Sequence, residues 1–298
     1  MAVRIAAMVR QCCAPWRRGW RLEASTIGKD TAMTSASFPM YDFPEVAGAL
    51  DALWAALSRA LADCDDVPSG LLRGEELDAL WRDEALFISQ CCGYDLVSRY
   101  AGILRPLVTP RYTAPGCQGS EYCSQIVVGA NSAIAELSDA RGRVCAVNGF
   151  ESHSGMNALR ALVAPLHQGG RFFSRVMQCG SHTDSLAAVA KGDADICAID
   201  SVSHALLARH RPAALADTRI LCQTASAPAI PFVTRVDRGE NFAARLQTAL
   251  LQVLSDPQLE DACRDLLIAG GEILPITAYA RIREFETEAA SSGYPELR

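Results

Sequence analysis

No segment of this chain reaches the roughly 18 apolar residues that a membrane-spanning helix needs, so a membrane span is not expected. A basic excess is missing too. Lys and Arg total 28 against 34 Asp and Glu, a formal net charge of −6 with the signs mixed along most of the sequence. Without clustered cations to neutralise a phosphate backbone, nucleic acid is not an expected partner. A small anion is still allowed, because the field of one pocket can differ in sign from that of the whole molecule. Catalytic signatures are equally scarce. There is no GxGxxG after a strand, no Walker-type GK[ST] and no HExxH. The nearest approach to a GxSxG elbow, Glu151-Ser-His-Ser-Gly155, has Glu where the first glycine belongs. Gly28-Lys29 is followed by Asp30 rather than Ser or Thr. Neither CxxC pairs nor the His partners of a zinc site occur, so no metal, cofactor or catalytic residue is assigned.

What is present is enough apolar material for real cores: 298 residues, 50% of them hydrophobic. The 12 cysteines form two adjacent pairs, Cys12-Cys13 and Cys91-Cys92, and otherwise fall singly, most of the later ones inside apolar runs such as RVCAV and DICAI. They read as small buried hydrophobes and fit a reducing, cytoplasmic setting. In the first 25 residues Arg4, Arg10 and Arg17-Arg18 interrupt any apolar core. The twin arginine is followed by Leu22-Glu23 and Lys29-Asp30 where an apolar stretch should be. Residues 1–38 are therefore expected to be a disordered extension, with 1–32 a start-site artefact before Met33; an unusual targeting segment is the alternative.

From Pro39 onward the pattern is regular. Val46, Leu50, Leu53, Trp54, Leu57 and Leu61 fall at helical spacing behind Pro44. Residues 85–88, 103–113, 121–129, 143–147, 172–176 and 195–199 read as strands. Helices are expected from Gly155, over 185–190, over 241–254, and from Asp256-Pro257 to a stop before Gly270-Gly271. Strands alternating with helices call for a mostly parallel sheet covered on both faces.

Ligands of open α/β sheets bind beyond the carboxyl ends of the strands. Five such ends carry polar or small residues: Met40-Tyr41-Asp42, Gln90 to Tyr94, Asn148 to Gly155, Gly180-Ser181-His182 and Asp200-Ser201. In Gly149-Phe-Glu-Ser-His-Ser-Gly155 a glycine turn and a serine-rich helix start gather hydroxyls and unpaired N–H groups around one point. The helix dipole there would hold an oxyanion without any lysine. Spacing alone leaves this balanced against a simple serine cap. The same choice stands for Ser181-His182, and Asp200 could either cap a helix near Ser203 or accept from a ligand amine.

The stretch from about Pro39 to Ala280 resembles the phosphate/phosphonate-type substrate-binding proteins of ABC transporters. The resemblance is carried by AVNGFESHSGMNALR (146–160), CGSHTDSLAAVAKGDADICAID (179–200) and APAIPFVT (227–234). It implies a two-lobed, type 2 periplasmic-binding-protein fold (a Venus flytrap) of the α/β class. Residues 39–127 and 226–290 would form one lobe and 128–225 the other. It implies non-catalytic binding of a small anion, phosphate, phosphonate or a related oxyanion, and an ABC permease as partner. Ser152, His153, Ser154 and Gly155 would meet the anion, Ser181 and His182 would add donors, and Asp200 would read an amine. Tyr41 and Tyr94 would line the ligand. The resemblance points to the periplasm, whereas the N-terminus and the cysteines point to the cytoplasm. A cytosolic enzyme or sensor on the same fold, similar to the thiamin-precursor synthases, is the alternative; Cys91-Cys92 is its only comparable cluster.

Overall fold

The computed structural model describes residues 34–298; the expectations for residues 1–33, including a start at Met33, lie outside the described residues. Strand β1 (Ser35–Ser37) is parallel to β2 (Leu86–Gln90). The fold thus begins ahead of Pro39, inside the stretch expected to be disordered, because a Ser-Ala-Ser triplet is too polar to be read as a buried strand. Between these strands Pro44 opens a 3-10 turn that runs into α1 (Ala47–Ala60), which buries Leu50, Leu53, Trp54 and Leu57. Helix α2 (Leu77–Arg82) follows, its first N–H groups capped by the Glu76 carboxylate.

After α3 (Gly93–Val97) come β3 (Leu104–Pro106), β4 (Thr109–Tyr112), β5 (Glu121–Tyr122) and β6 (Ser124–Gly129). The middle section holds β7 (Val144–Val147), α4 (Ala158–Val163), β8 (Arg175–Gln178), α5 (His182–Lys191), β9 (Ile196–Asp200) and α6 (Ser201–His210). The chain ends through β10 (Thr218–Gln223), β11 (Ala227–Pro228), β12 (Phe232–Arg235), α7 (Glu240–Leu254), α8 (Glu260–Asp265), β13 (Ile268–Glu272) and α9 (Ala280–Ser291).

Two sheets organise these elements. One has the order β1-β2-β12-β3 and the other β10-β6-β9-β7-β8. Among the described strands, β1/β2, β7/β8 and β7/β9 pair in parallel. The sheets are mixed because β6 and β12, which carry the chain into each sheet after a crossing, run antiparallel to their neighbours. The chain leaves the first sheet through β5 and returns through β11, and these two short strands pair with each other. Strand β6 belongs to the five-stranded sheet along its whole length, so that sheet starts at Ser124, a few residues before the expected break.

The apolar strands sit deep: Phe87, Ile88, Cys145, Val147, Ile196 and Ile199 have no solvent exposure. The expected strand at 172–176 is displaced to β8, because Phe172 and Phe173 instead insert side by side into the second core, with ring centroids 4.8 Å apart. Gly270 and Gly271 do not end a helix but lie within β13. A Cβ at 271 would press on Val108 Cγ1, so the strand packs closely only with glycine there. The C-terminal residues pack on the second core: Tyr294 and Leu297 are buried, and the Arg298 carbonyl accepts from the Phe172 and Phe173 N–H groups.

Candidate ligand-binding cleft

A cavity of about 460 Å³ opens between the two sheets, at the carboxyl ends of their strands. All five polar strand ends reach it. The segment after β1 supplies Met40, Tyr41 and Asp42; the end of β2 supplies Cys92 and, one helical turn on, Asp95. From the other sheet come Asn148, Glu151, Ser152 and Ser154 after β7, Gly180 to Thr183 after β8, and Asp200 after β9.

The turn after β7 is built tightly. Ser152 caps the following helix, its Oγ accepting the Gly155 N–H at 3.0 Å. That helix begins two residues before Gly155, as a π-turn over His153–Asn157 that continues into α4. Gly155 is required by close approach, since a Cβ there would overlap Asn148 Oδ1. Ser154 Oγ lies 3.0 Å from His182 Nε2, which joins the two serine-rich turns. The first N–H groups of the helix have no intrahelical acceptors. With the two serine hydroxyls and His182 they form one cluster of neutral donors. Ser181 spends its hydroxyl locally, accepting the Asp184 N–H at 3.0 Å and donating to the Asp184 carboxylate at 2.7 Å.

Asp200 does two things at once. Its Oδ1 accepts the Ser203 N–H at 2.8 Å, capping α6, and its Oδ2 accepts from Tyr41 Oη at 2.9 Å across the cleft. Burial raises its pKa to about 6, against the lowering pull of those hydrogen bonds. Burial likewise raises Asp95 to about 6, with Arg99 opposing. Desolvation lowers His182 to about 4, so its imidazole is neutral at pH 7. Cys92 is held as a thiol, burial pushing it up to about 11. Among the described residues, the one cationic side chain on the wall, Arg211, is already bound bidentately by Glu45 from the opposite lobe, at 2.6 and 2.9 Å. The cavity therefore offers an anion neutral dipoles rather than a free cation, with the Glu151 and Asp200 carboxylates on the same lobe as these donors and Asp42 and Asp95 on the other.

Three of the expected residues are placed differently. The His153 side chain points into the core, edge-on to the Phe285 ring at 5.2 Å and with Nδ1 3.1 Å from Asn157 Nδ2. Only its backbone faces the turn, because the π-turn rotates the residue after the cap inward. Gly155 lies behind the wall, where it allows the approach of Asn148. Tyr94 does not reach the cleft: Cys92 and Asp95, three apart, share the cleft-facing side of α3, and the helical period carries Tyr94 away from it. Asp95 and Arg211 are not picked out from sequence, and Asn148 and Glu151 only as parts of the segment from Asn148 to Gly155. Asn148 and Glu151 flank the Ser-His-Ser motif and were legible by proximity. Asp95 needed the phase of α3, and Arg211 carries no local signal at all.

The sequence matches the model of the family described as ABC transporter, phosphonate, periplasmic substrate-binding protein over residues 85–273, more than half of the chain. The chain belongs to that family. No curated protein matches the sequence. Among solved structures it is similar to a binding protein component of an ABC phosphonate transporter from Pseudomonas aeruginosa, at 14% identity and a TM-score of 0.69, covering 87% of each chain. It is also similar to PhnD1 from Prochlorococcus marinus in complex with methylphosphonate, at 16% identity and a TM-score of 0.67, covering 87% of this chain and 98% of that one. A third, XAC2383 from Xanthomonas citri bound to ATP, shares 19% identity with a TM-score of 0.64, covering 88% and 98%. These likenesses establish the two-lobed α/β fold of this phosphonate-binding family.

Proposed function

We propose that the cleft binds a small oxyanion, a phosphonate or phosphate, without chemical turnover, and hands it to an ABC permease. The observation that carries this reading is the joined donor cluster. Ser154 Oγ and His182 Nε2 lie 3.0 Å apart beside a helix start whose Gly155 N–H is capped by Ser152 Oγ, and all three side chains line the wall of a two-lobed cleft. Membership of a substrate-binding family supports it, and so does methylphosphonate in the similar PhnD1. The anion is held by neutral dipoles, and the Asp200 carboxylate, hydrogen-bonded to Tyr41 of the facing lobe, receives a ligand's hydrogen-bond-donating end. The lobes meet at the β5/β11 ribbon, so we place the lobe boundaries near Cys123 and Thr224, the second lobe spanning the residues between.

The test is a melting scan of the full chain with methylphosphonate, 2-aminoethylphosphonate, phosphate and small carboxylates. A true ligand at a hundredfold excess over its dissociation constant adds about 2.7 kcal/mol, and should be recovered unchanged after denaturation. No shift with any of these oxyanions, or recovery of a converted product, would overturn the proposal.

A further inference from the structure

A second cavity, of about 490 Å³, shares no wall residue with the cleft. It lies between the start of α4, the segment leading into β8, Tyr94 of α3 and the C-terminal residues. Its walls combine two chemistries. Arg160, Arg171, Arg175 and Arg298 surround it, while Met156, Phe173 and Leu297 are buried behind it and Phe150 stands at the rim, 48% exposed. Among the described residues, the only carboxylate side chain on the wall is Glu296, 3.7 Å from Arg298. The Tyr94 side chain interacts with both Glu286 and Arg160. Among the described residues, Arg160, Arg171 and Arg175 form no salt bridge, although the chain as a whole carries a net charge of −6.

Arg160 is the most telling of these. Its side chain is 5% exposed and is fixed by the Pro295 carbonyl at 2.8 Å and Asn157 Oδ1 at 2.6 Å, both neutral, while its Nε is buried without a partner. A buried guanidinium without a counter-charge is costly, and an anion entering this cavity would relieve it. Among the described residues, the exposed Arg171 side chain donates only to the Ser174 carbonyl, and the Arg175 side chain has no hydrogen-bond partner. Planar guanidinium groups suit doubly charged oxyanions, and the volume falls within the range of small-molecule sites.

We infer that this cavity is a second binding site, for an organic anion that joins a phosphate-like head group to a flat apolar body. The guanidinium groups hold the head, and Phe150, Phe173 and Met156 cover the body. Bare phosphate would leave the apolar wall wet and bind more weakly.

Methionine methyl groups read both sites in one experiment, since Met156 lines this cavity and Met40 lines the cleft. The full chain, labelled with methyl-13C methionine, is titrated with phenyl phosphate and separately with inorganic phosphate, with Met156→Leu to assign the signal. The expected result is a saturable shift of the Met156 resonance by phenyl phosphate. It should weaken at least tenfold in the Arg171→Glu/Arg175→Glu double variant, whose altered side chains are both exposed, and persist in Ser154→Ala. Inorganic phosphate should bind at this site at least tenfold more weakly than phenyl phosphate. A Met156 signal that stays still, a shift that survives the double variant, a shift lost with Ser154→Ala, or equal affinity for bare phosphate would each overturn the inference.

Discussion

Replacing Asp200 by Asn separates the electrostatic cost of the cleft from its hydrogen bonds. In the folded chain burial lifts the Asp200 carboxyl from 3.8 to about 6. At about 1.4 kcal/mol per pH unit, that shift corresponds to about 3 kcal/mol of linkage. Its direction follows from proton counting. Between the two values the folded chain keeps a proton that the unfolded chain releases. The stabilising contribution is therefore complete below about pH 4 and is lost as pH rises through about 6. Asparagine occupies nearly the same volume and does not titrate, so whatever bonds it makes to Tyr41 and Ser203 add a constant. Denaturant unfolding of both proteins from about pH 3.5 to 7.5 isolates the effect, because contributions common to both cancel in the difference. The wild-type chain should lose about 2–3 kcal/mol relative to the variant across that range, with unchanged dependence on denaturant. A difference that is flat with pH, or one that moves in favour of the wild type as pH rises, would refute the reasoning.

Other consequences are more direct. Ser154→Ala should weaken methylphosphonate or phosphate binding by about tenfold to a hundredfold, the loss of one hydrogen bond to a charged group, measured by calorimetry. Gly155→Ala should destabilise the chain by about 1–3 kcal/mol, because the new methyl group overlaps Asn148 Oδ1, and a melting curve would show it. The His182 Cε1 proton should titrate by NMR with a midpoint near 4, as desolvation dictates; a midpoint between about 6 and 7, the range of a solvated imidazole, would place the ring in water instead. Tyr41→Phe removes the donor that lowers Asp200, and should move the carboxyl's titration further upward from about 6.

Much of this architecture was legible in the sequence. The runs around Ile88, Val147 and Ile199 are apolar enough to be buried strands whatever packs on them. Their polar ends all come to one cavity, because a strand delivers the residue that follows it to a fixed edge of the sheet. What could not be read depended on partners or on phase. Phe172 and Phe173 have strand-like chemistry, yet their contacts with the C-terminal residues pull them out of register. Gly270 and Gly271 read as a helix stop because nothing local reveals that Arg111 lies over the first and Val108 presses on the second. His153 and Tyr94 both sit in the right motifs, but which way each points is set by one residue of helical phase: the π-turn after Ser152 and the start of α3 at Cys92. Arg211 meets Glu45 only through the approach of the two lobes, which no local pattern records.

The central claim is that the Ser152–Gly155 turn, with His182, seats an oxyanion. A crystal structure of the full chain grown with methylphosphonate tests it most directly. The account predicts phosphonate oxygens about 3 Å from Ser152 Oγ, Ser154 Oγ and His182 Nε2. A phosphonate bound elsewhere, with this turn left in contact only with protein, would contradict it.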